Sequence, residues 1–155
     1  MSVVVAYDFD GVLAVKPPRP AKPWGKMNGL ERSAYQQQTL KHYMLAEALL
    51  VPVEDIFHVI TARKATPEVQ RVSRHWLETR YGSRVLSVSF LQTARSIENV
   101  VKFKAEVLHA LQVRRFIEDN LAVLKGLSKN PLCAEVELIY FNPKNELVPL
   151  KSLEK

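Results

Sequence analysis

Cysteine, glycine and long apolar runs are all scarce in this chain of 155 residues. A single cysteine, Cys133, excludes an internal disulfide framework and favours a reducing compartment. No apolar run approaches the ~20 residues that a membrane-spanning helix needs, so we expect no membrane partner. The apolar start of the chain lacks a basic lead and runs directly into Asp8, which is typical of a strand rather than of a signal peptide. We therefore expect a cytoplasmic protein.

The remaining composition is that of an ordinary folded domain. Apolar residues make up 47% of the chain and charged residues 25%, which argues against disorder. The length predicts a single domain over residues 1–155. Lysine and arginine outnumber aspartate and glutamate by 22 to 16, a net charge of +6. This excess permits attraction to phosphates or nucleic acid without demonstrating it.

Short apolar runs alternate with stretches of helical periodicity along the chain. The runs predict strands, and the periodic stretches, some with N-cap and proline signals at their starts, predict helices. This alternation predicts an α/β fold, a three-layer Rossmann-like parallel sheet with helices on both faces. The strands are expected at 3–7, 56–60, 85–90, 115–117 and 136–141, and the helices at 30–50, 67–81, 97–111 and 121–127.

Residues 14–50 are predicted to form an insertion between the first two strands. Four of the nine prolines fall within 14–29, which makes a loop there. The helix predicted over 30–50 follows and is expected to stop at Pro52. Together, loop and helix would make a minimal cap over the sheet.

Polar residues follow the predicted strands where each of them ends. Asp8 and Asp10 follow the first strand, Thr61 the second, and Glu118 and Asp119 the fourth. The carboxyl ends of parallel strands share one edge of a sheet, and ligands bind in the crevice there. Carboxylates held this close repel one another unless a cation lies between them, and Mg²⁺ accepts one or two such ligands.

The order of these groups resembles a known family. The matching motifs are, in order, Asp8-Phe9-Asp10-Gly11-Val12, Thr61, a lysine ahead of a further strand, and Glu118-Asp119. With them, the chain resembles the four-motif pattern of the haloacid dehalogenase superfamily of phosphohydrolases. The resemblance covers about residues 3–125. Residues 60–82 and 104–120 look most like small members related to 5′(3′)-nucleotidases.

The resemblance implies roles for the residues that match it. Asp8 would be the nucleophile that forms an aspartyl-phosphate, and Asp10 the general acid and base. Thr61 would hold a phosphoryl oxygen. Asp8, the Asp10 backbone carbonyl and Asp119 would bind Mg²⁺, with Glu118 behind them. Most members have aspartate where Glu118 stands, so the metal geometry would differ here.

The sequence leaves the roles of two basic positions open. The phosphate-site lysine is either Lys102 or Lys104. Lys104 lies in the middle of the apolar stripe of its predicted helix and is favoured, because a buried ammonium needs a partner. Arg63 follows Thr61 closely and would either contact substrate phosphate or be surface charge.

The expected function is hydrolysis of a small phosphorylated metabolite, a nucleotide being one such substrate. A phosphatase acting on DNA or RNA ends is the first alternative. Its basis is the net charge, the short cap and a proline loop with basic residues and one tryptophan. A non-catalytic binding module is the second, and the intact aspartate pair counts against it. The sequence does not determine the natural substrate or the oligomeric state.

Overall fold

Six strands form one sheet in the computed structural model, which describes residues 3–154. Their spatial order is β3-β2-β1-β4-β5-β6, and all neighbours run parallel except β5 and β6. The predicted α/β fold with a parallel sheet is therefore confirmed. The strands are β1 (Val5–Tyr7), β2 (Phe57–Lys64), β3 (Val85–Leu91), β4 (Arg115–Glu118), β5 (Glu137–Phe141) and β6 (Leu147–Pro149).

Within residues 3–154, four α-helices connect successive strands and a fifth follows β6. Side chains cap the first four at their starts. The helices are α1 (Gly29–Leu45), α2 (Pro67–Tyr81), α3 (Ile97–Ala110), α4 (Leu121–Ser128) and α5 (Leu150–Leu153). Each cap accepts backbone N–H groups that the first helical turn leaves unpaired. The caps are Asn28, Thr66, Ser96 and Asn120.

Alternate residues of the strands pack into two apolar cores, one on each face of the sheet. In β1, Val5 and Tyr7 join the core that contains Trp76 of α2, whereas Ala6 joins the core that contains Leu108 of α3. The period-two alternation of a strand produces this division. Helices therefore cover both faces, as predicted.

The helix predicted over 30–50 ends earlier than expected. It stops at Leu45, and Pro52 is not what ends it. The backbone N–H groups of Leu49 and Leu50 instead donate to the carbonyls of Leu13 and Val12. Apolar periodicity cannot show such pairing between distant segments, so it overextended the helix.

Other differences are smaller. β2 continues to Lys64 beyond an irregularity in its register with β3, so Thr61 and Arg63 lie inside the strand. The hairpin strand β6 and the short helix α5 were not predicted. Within residues 3–154, no helix combines the length and the apolar character required to cross a membrane.

Candidate functional site

Three carboxylates meet at the carboxyl edge of the sheet. Asp8 directly follows β1, and Glu118 and Asp119 lie at the end of β4, beside it in the sheet. One oxygen from each carboxylate lies within 4.8 Å of the other two. The backbone N–H of Asp8 donates to the carbonyl of Ile117 at 2.9 Å, which fixes the two strand ends together. The sheet thus brings together acidic residues that are 110 positions apart in the sequence.

Gly11 leaves room for this approach. Its φ of +83° lies in the left-handed region, which favours glycine. A Cβ at this position would lie 2.2 Å from Oδ2 of Asp119, well inside van der Waals contact. Both conformation and space therefore require glycine beside the carboxylates.

Lys104 joins two of the carboxylates. It is buried on α3, and its Nζ donates to Oδ1 of Asp8 at 3.0 Å and to Oε1 of Glu118 at 2.6 Å. Burial opposes its charge, but the two carboxylates outweigh that effect and raise the pKa of Lys104 above its usual range. Lys102 is exposed on the same helix. Lys104 is thus the lysine at the site.

Glu118 has little capacity left for another partner. Besides Lys104 on Oε1, its Oε2 accepts the backbone N–H groups of Asp119 at 2.9 Å and Asn120 at 3.3 Å. Burial and the charge of Asp8 raise its pKa well above the ordinary value, against the effect of Lys104. Glu118 therefore orients its neighbours rather than facing the cavity with free oxygens.

The pKa values of Asp8 and Asp119 are shifted in opposite directions from their usual values. Burial opposes ionisation of Asp8, yet Lys104 and hydrogen bonds from neighbouring groups hold its pKa below the usual value. Burial and the Asp8 charge raise the pKa of Asp119, while Lys16 opposes that rise. Nζ of Lys16 lies 2.7 Å from Oδ2 of Asp119. Carboxylates crowded in this way favour a cation among them, and their oxygens are the donors that Mg²⁺ prefers.

Asp10 lies beside this cluster and is held by Arg63. The Arg63 Nε donates to Oδ2 of Asp10 at 2.9 Å and its Nη2 to Oδ1 at 2.7 Å. Nη1 donates to Ser73 at 2.8 Å, and the guanidinium lies 3.6 Å from the ring centroids of Phe9 and Tyr43. Arg63 is only 1% exposed, so the interpretation of it as surface charge is wrong.

Thr61 is also buried, and its side chain makes a local contact. Its Oγ1 accepts the backbone N–H of Arg63 at 3.1 Å. A hydroxyl that accepts one bond keeps its own hydrogen for a second partner. Because Thr61 also lines the cavity beside the carboxylates, that hydrogen is available to an oxygen bound there.

These side chains line one open cavity of about 640 Å³. The insertion supplies one wall through the proline loop and through Tyr35 and Tyr43 of α1, and the start of α3 supplies another. A larger groove of about 870 Å³ lies between the proline loop and α1 and shares Pro18, Arg19, Pro20 and Tyr35 with the cavity. The larger groove contains none of the clustered carboxylates, so the candidate site is the smaller cavity.

Several contacts of the site carried no signal in the sequence. The partner of Lys16 is 103 positions away, and the basic loop gave no reason to single it out. Ser73 lies on an ordinary amphipathic helix, and only the fold shows that it supports Arg63. No protein-family model matches this chain, and curated proteins give no match either. The residues and their geometry therefore carry the functional conclusion.

Proposed function

We propose that this protein is a Mg²⁺-dependent phosphomonoester hydrolase of the haloacid dehalogenase type, acting on a small phosphorylated metabolite through an aspartyl-phosphate. One observation carries the proposal. Asp8, bonded to the buried Lys104, shares a cavity with the Glu118–Asp119 pair and with an Asp10 fixed by Arg63. Residues 14–50 would act as a minimal cap over this cavity.

Asp8 is suited to be the nucleophile. Its low pKa keeps it ionised at neutral pH, and its side chain is about one-tenth exposed towards the cavity. An Asp8 oxygen attacks phosphorus, and the bond from phosphorus to the leaving oxygen breaks. A water molecule then attacks phosphorus of the aspartyl-phosphate, which releases phosphate and restores the carboxylate. Dividing the displacement in this way is the usual benefit of a carboxylate nucleophile.

Asp10 is placed to move the protons. It donates a proton to the leaving oxygen in the first step and accepts one from the attacking water in the second. Both of its oxygens bond to Arg63, and a carboxylate oxygen with one such bond keeps a lone pair for the proton. Arg63 therefore acts by positioning Asp10.

The remaining groups act on charge. Lys104 holds Asp8 in place and offsets the negative charge of the phosphoryl group, and Thr61 donates to one of its oxygens. Asp8 and Asp119 would hold the metal ion, since the Glu118 oxygens are bonded to Lys104 and to backbone N–H groups. When bound, Mg²⁺ would shield the substrate's charge from the carboxylates and polarise the phosphoryl group.

A phosphatase screen with Mg²⁺ and with EDTA tests the proposal. It should include nucleotides, sugar phosphates and phosphorylated oligonucleotides. We expect turnover that requires the metal, and loss of turnover in Asp8→Asn with the fold retained by circular dichroism, because the substitution is nearly isosteric. The exposed Asp55→Asn is the matched control and should keep full activity. Turnover that persists in Asp8→Asn would overturn the nucleophile assignment.

Cleavage of phosphate from nucleic acid ends is the second candidate. The cavity is open and continues into the groove along α1, which leaves room for a chain beyond the phosphate. A protein that contacts several backbone phosphates loses affinity steeply as salt rises. Activity on oligonucleotide ends should then fall with salt much more than activity on mononucleotides. Equal salt dependence would argue against this candidate, and full retention of ligand binding in EDTA with no turnover would favour a binding module.

A further inference from the structure

The charged side chains around the cavity do not balance one another. Five cationic and four acidic side chains line it. The acidic side chains are those of Asp8, Asp10, Glu118 and Asp119. The cationic side chains come from the proline loop, β2, the loop before α3, and α3 itself. These cations are Lys16, Arg19, Arg63, Arg95 and Lys104.

Three of the five cations are already paired with carboxylates, and between them they engage all four carboxylates of the cavity. Arg63 binds Asp10 through two hydrogen bonds. Lys104 bonds to Asp8 and Glu118, and Lys16 to Asp119. No carboxylate of the cavity is left for the other two cations, Arg19 and Arg95.

Within residues 3–154, neither Arg19 nor Arg95 forms an ion pair, and both are exposed. Arg95 is nevertheless held, because its Nη2 donates to the carbonyl of Ala62 at 3.1 Å, beside Thr61. Guanidinium groups with unused N–H donors bind phosphate in a fixed, bidentate geometry. The cavity is thus lined by two guanidinium groups that none of its carboxylates engages.

The loop that carries Arg19 is also anchored. Pro18 and Pro20 flank Arg19 and restrict the backbone there. The hydroxyl of Tyr35 donates to the carbonyl of Pro18 at 3.3 Å, and the His42 ring lies 2.8 Å from the carbonyl of Val15. Arg19 is therefore presented to the cavity from a backbone tied to α1.

We propose that Arg19 and Arg95 form a second anion subsite, which binds a phosphate of the substrate other than the one removed. The inference rests on the proposed function and narrows its substrate to a bisphosphorylated metabolite. Hydrolysis would remove the phosphate seated against Asp8 and leave the other one on the product. Tyr35 also lines the cavity and can pack against the carbon skeleton between the two phosphates.

Binding to the inactive Asp8→Asn protein tests the subsite without depending on catalysis. Titration calorimetry in Mg²⁺ would compare adenosine 3′,5′-bisphosphate with the two adenosine monophosphates. We expect the bisphosphate to bind at least about tenfold tighter, as charge-assisted hydrogen bonds to one extra phosphate should allow. Adding Arg19→Gln and Arg95→Gln should remove that difference.

The matched control is Arg114→Gln in the same Asp8→Asn background. Arg114 is exposed, pairs with Glu135 and precedes β4, at the opposite edge of the sheet. It should leave the preference for the bisphosphate intact. Equal affinity for bisphosphate and monophosphates would overturn the subsite, as would a preference that survives both substitutions.

A second arm identifies the source of the phosphate. If a phosphorylated dinucleotide, but not the bisphosphate, gains affinity through the two arginines, the occupant is a phosphodiester and the assignment to a bisphosphorylated metabolite is overturned. The failure of the proposed function looks different. There the wild-type protein would hydrolyse no phosphomonoester, while arginine-dependent binding of the bisphosphate to Asp8→Asn would persist.

Discussion

Arg63 donates two hydrogen bonds to Asp10, at 2.9 and 2.7 Å, and its own side chain is almost completely buried. The planar guanidinium matches the two carboxylate oxygens and lies against the rings of Phe9 and Tyr43. A carboxylate held in this way cannot rotate freely, so its oxygens are oriented before a substrate arrives. Preorganisation of this kind is a large part of what an active site contributes to rate.

The first prediction concerns the geometry of that contact. Arg63→Lys keeps the charge but loses the paired donors and the stacking between the two rings. In the proposed phosphatase we expect kcat to fall about tenfold or more, with KM changing much less, since Asp10 acts in the chemical step. Steady-state kinetics measure this, and the exposed Arg114→Lys is the control. An unchanged kcat in a folded Arg63→Lys protein would show that Asp10 needs no such support.

The second prediction separates two lysines of the same helix. Lys104→Met leaves Asp8 and Glu118 buried without their common cation, and breaking a buried ion pair costs about 3–5 kcal/mol. Lys102→Met, on the exposed face, should change the free energy of unfolding by about 0.5 kcal/mol or less. Urea denaturation measures both. Equal effects would contradict the structural role of Lys104.

The cost of Lys104→Met should also depend on pH. Without the ammonium, the pKa of Asp8 is no longer held down, and the already raised pKa of Glu118 rises further. Both carboxyl groups then take up protons more readily in the folded state than in the unfolded chain. A carboxyl group whose pKa is raised by folding destabilises the protein above that pKa and ceases to do so as pH falls through it. The difference in free energy of unfolding between wild type and Lys104→Met should therefore become smaller from pH 8 to pH 5. A difference that grows would contradict this explanation.

The sequence predicted the sheet and the meeting of Asp8 with Asp119 because both follow from local patterns. Apolar runs alternating with helices dictate parallel strands, and parallel strands bring their carboxyl ends to one edge. Lys104 was favoured over Lys102 in the same way, from its position within an apolar stripe. These inferences needed only periodicity and the order of elements.

What the sequence missed depends on contacts between distant segments. Arg63 bonds to a residue 53 positions before it, and no local pattern distinguishes it from the exposed Lys64 next to it. The end of α1 at Leu45 follows from pairing of Leu49 with Leu13. Hydrogen-bond partners of this kind are fixed only when the whole chain packs.

The third prediction concerns Gly11. Alanine there would place a Cβ 2.2 Å from Oδ2 of Asp119 and would strain a backbone with φ of +83°. We expect Gly11→Ala to displace Asp119 and weaken Mg²⁺ binding about tenfold or more, measured by calorimetry. Gly25→Ala is the matched control, since a Cβ at Gly25 meets nothing within 4 Å. Similar metal affinity in the two variants would show that Asp119 is not a ligand.

The last prediction concerns competition for Asp119. Nζ of Lys16 lies 2.7 Å from the same Asp119 oxygen that Gly11 accommodates, and its side chain is 59% exposed, so it can move away. A Mg²⁺ ion bound by Asp8 and Asp119 would have to share Asp119 with this ammonium or displace it. Removing the charge in Lys16→Gln should therefore tighten Mg²⁺ binding by a few-fold, a modest effect because the Lys16 side chain is largely solvated.

Thermal unfolding of protein stripped with EDTA and titrated with Mg²⁺ measures this affinity. A ligand that binds only the folded state raises the midpoint in proportion to the logarithm of its concentration above Kd. The Lys16→Gln curve should rise at lower Mg²⁺ than the wild-type curve. Lys22→Gln removes a lysine of the same loop that pairs with Glu31 instead, and it should follow the wild type. Weaker binding in Lys16→Gln would mean that Lys16 orients Asp119 for the metal rather than competing with it.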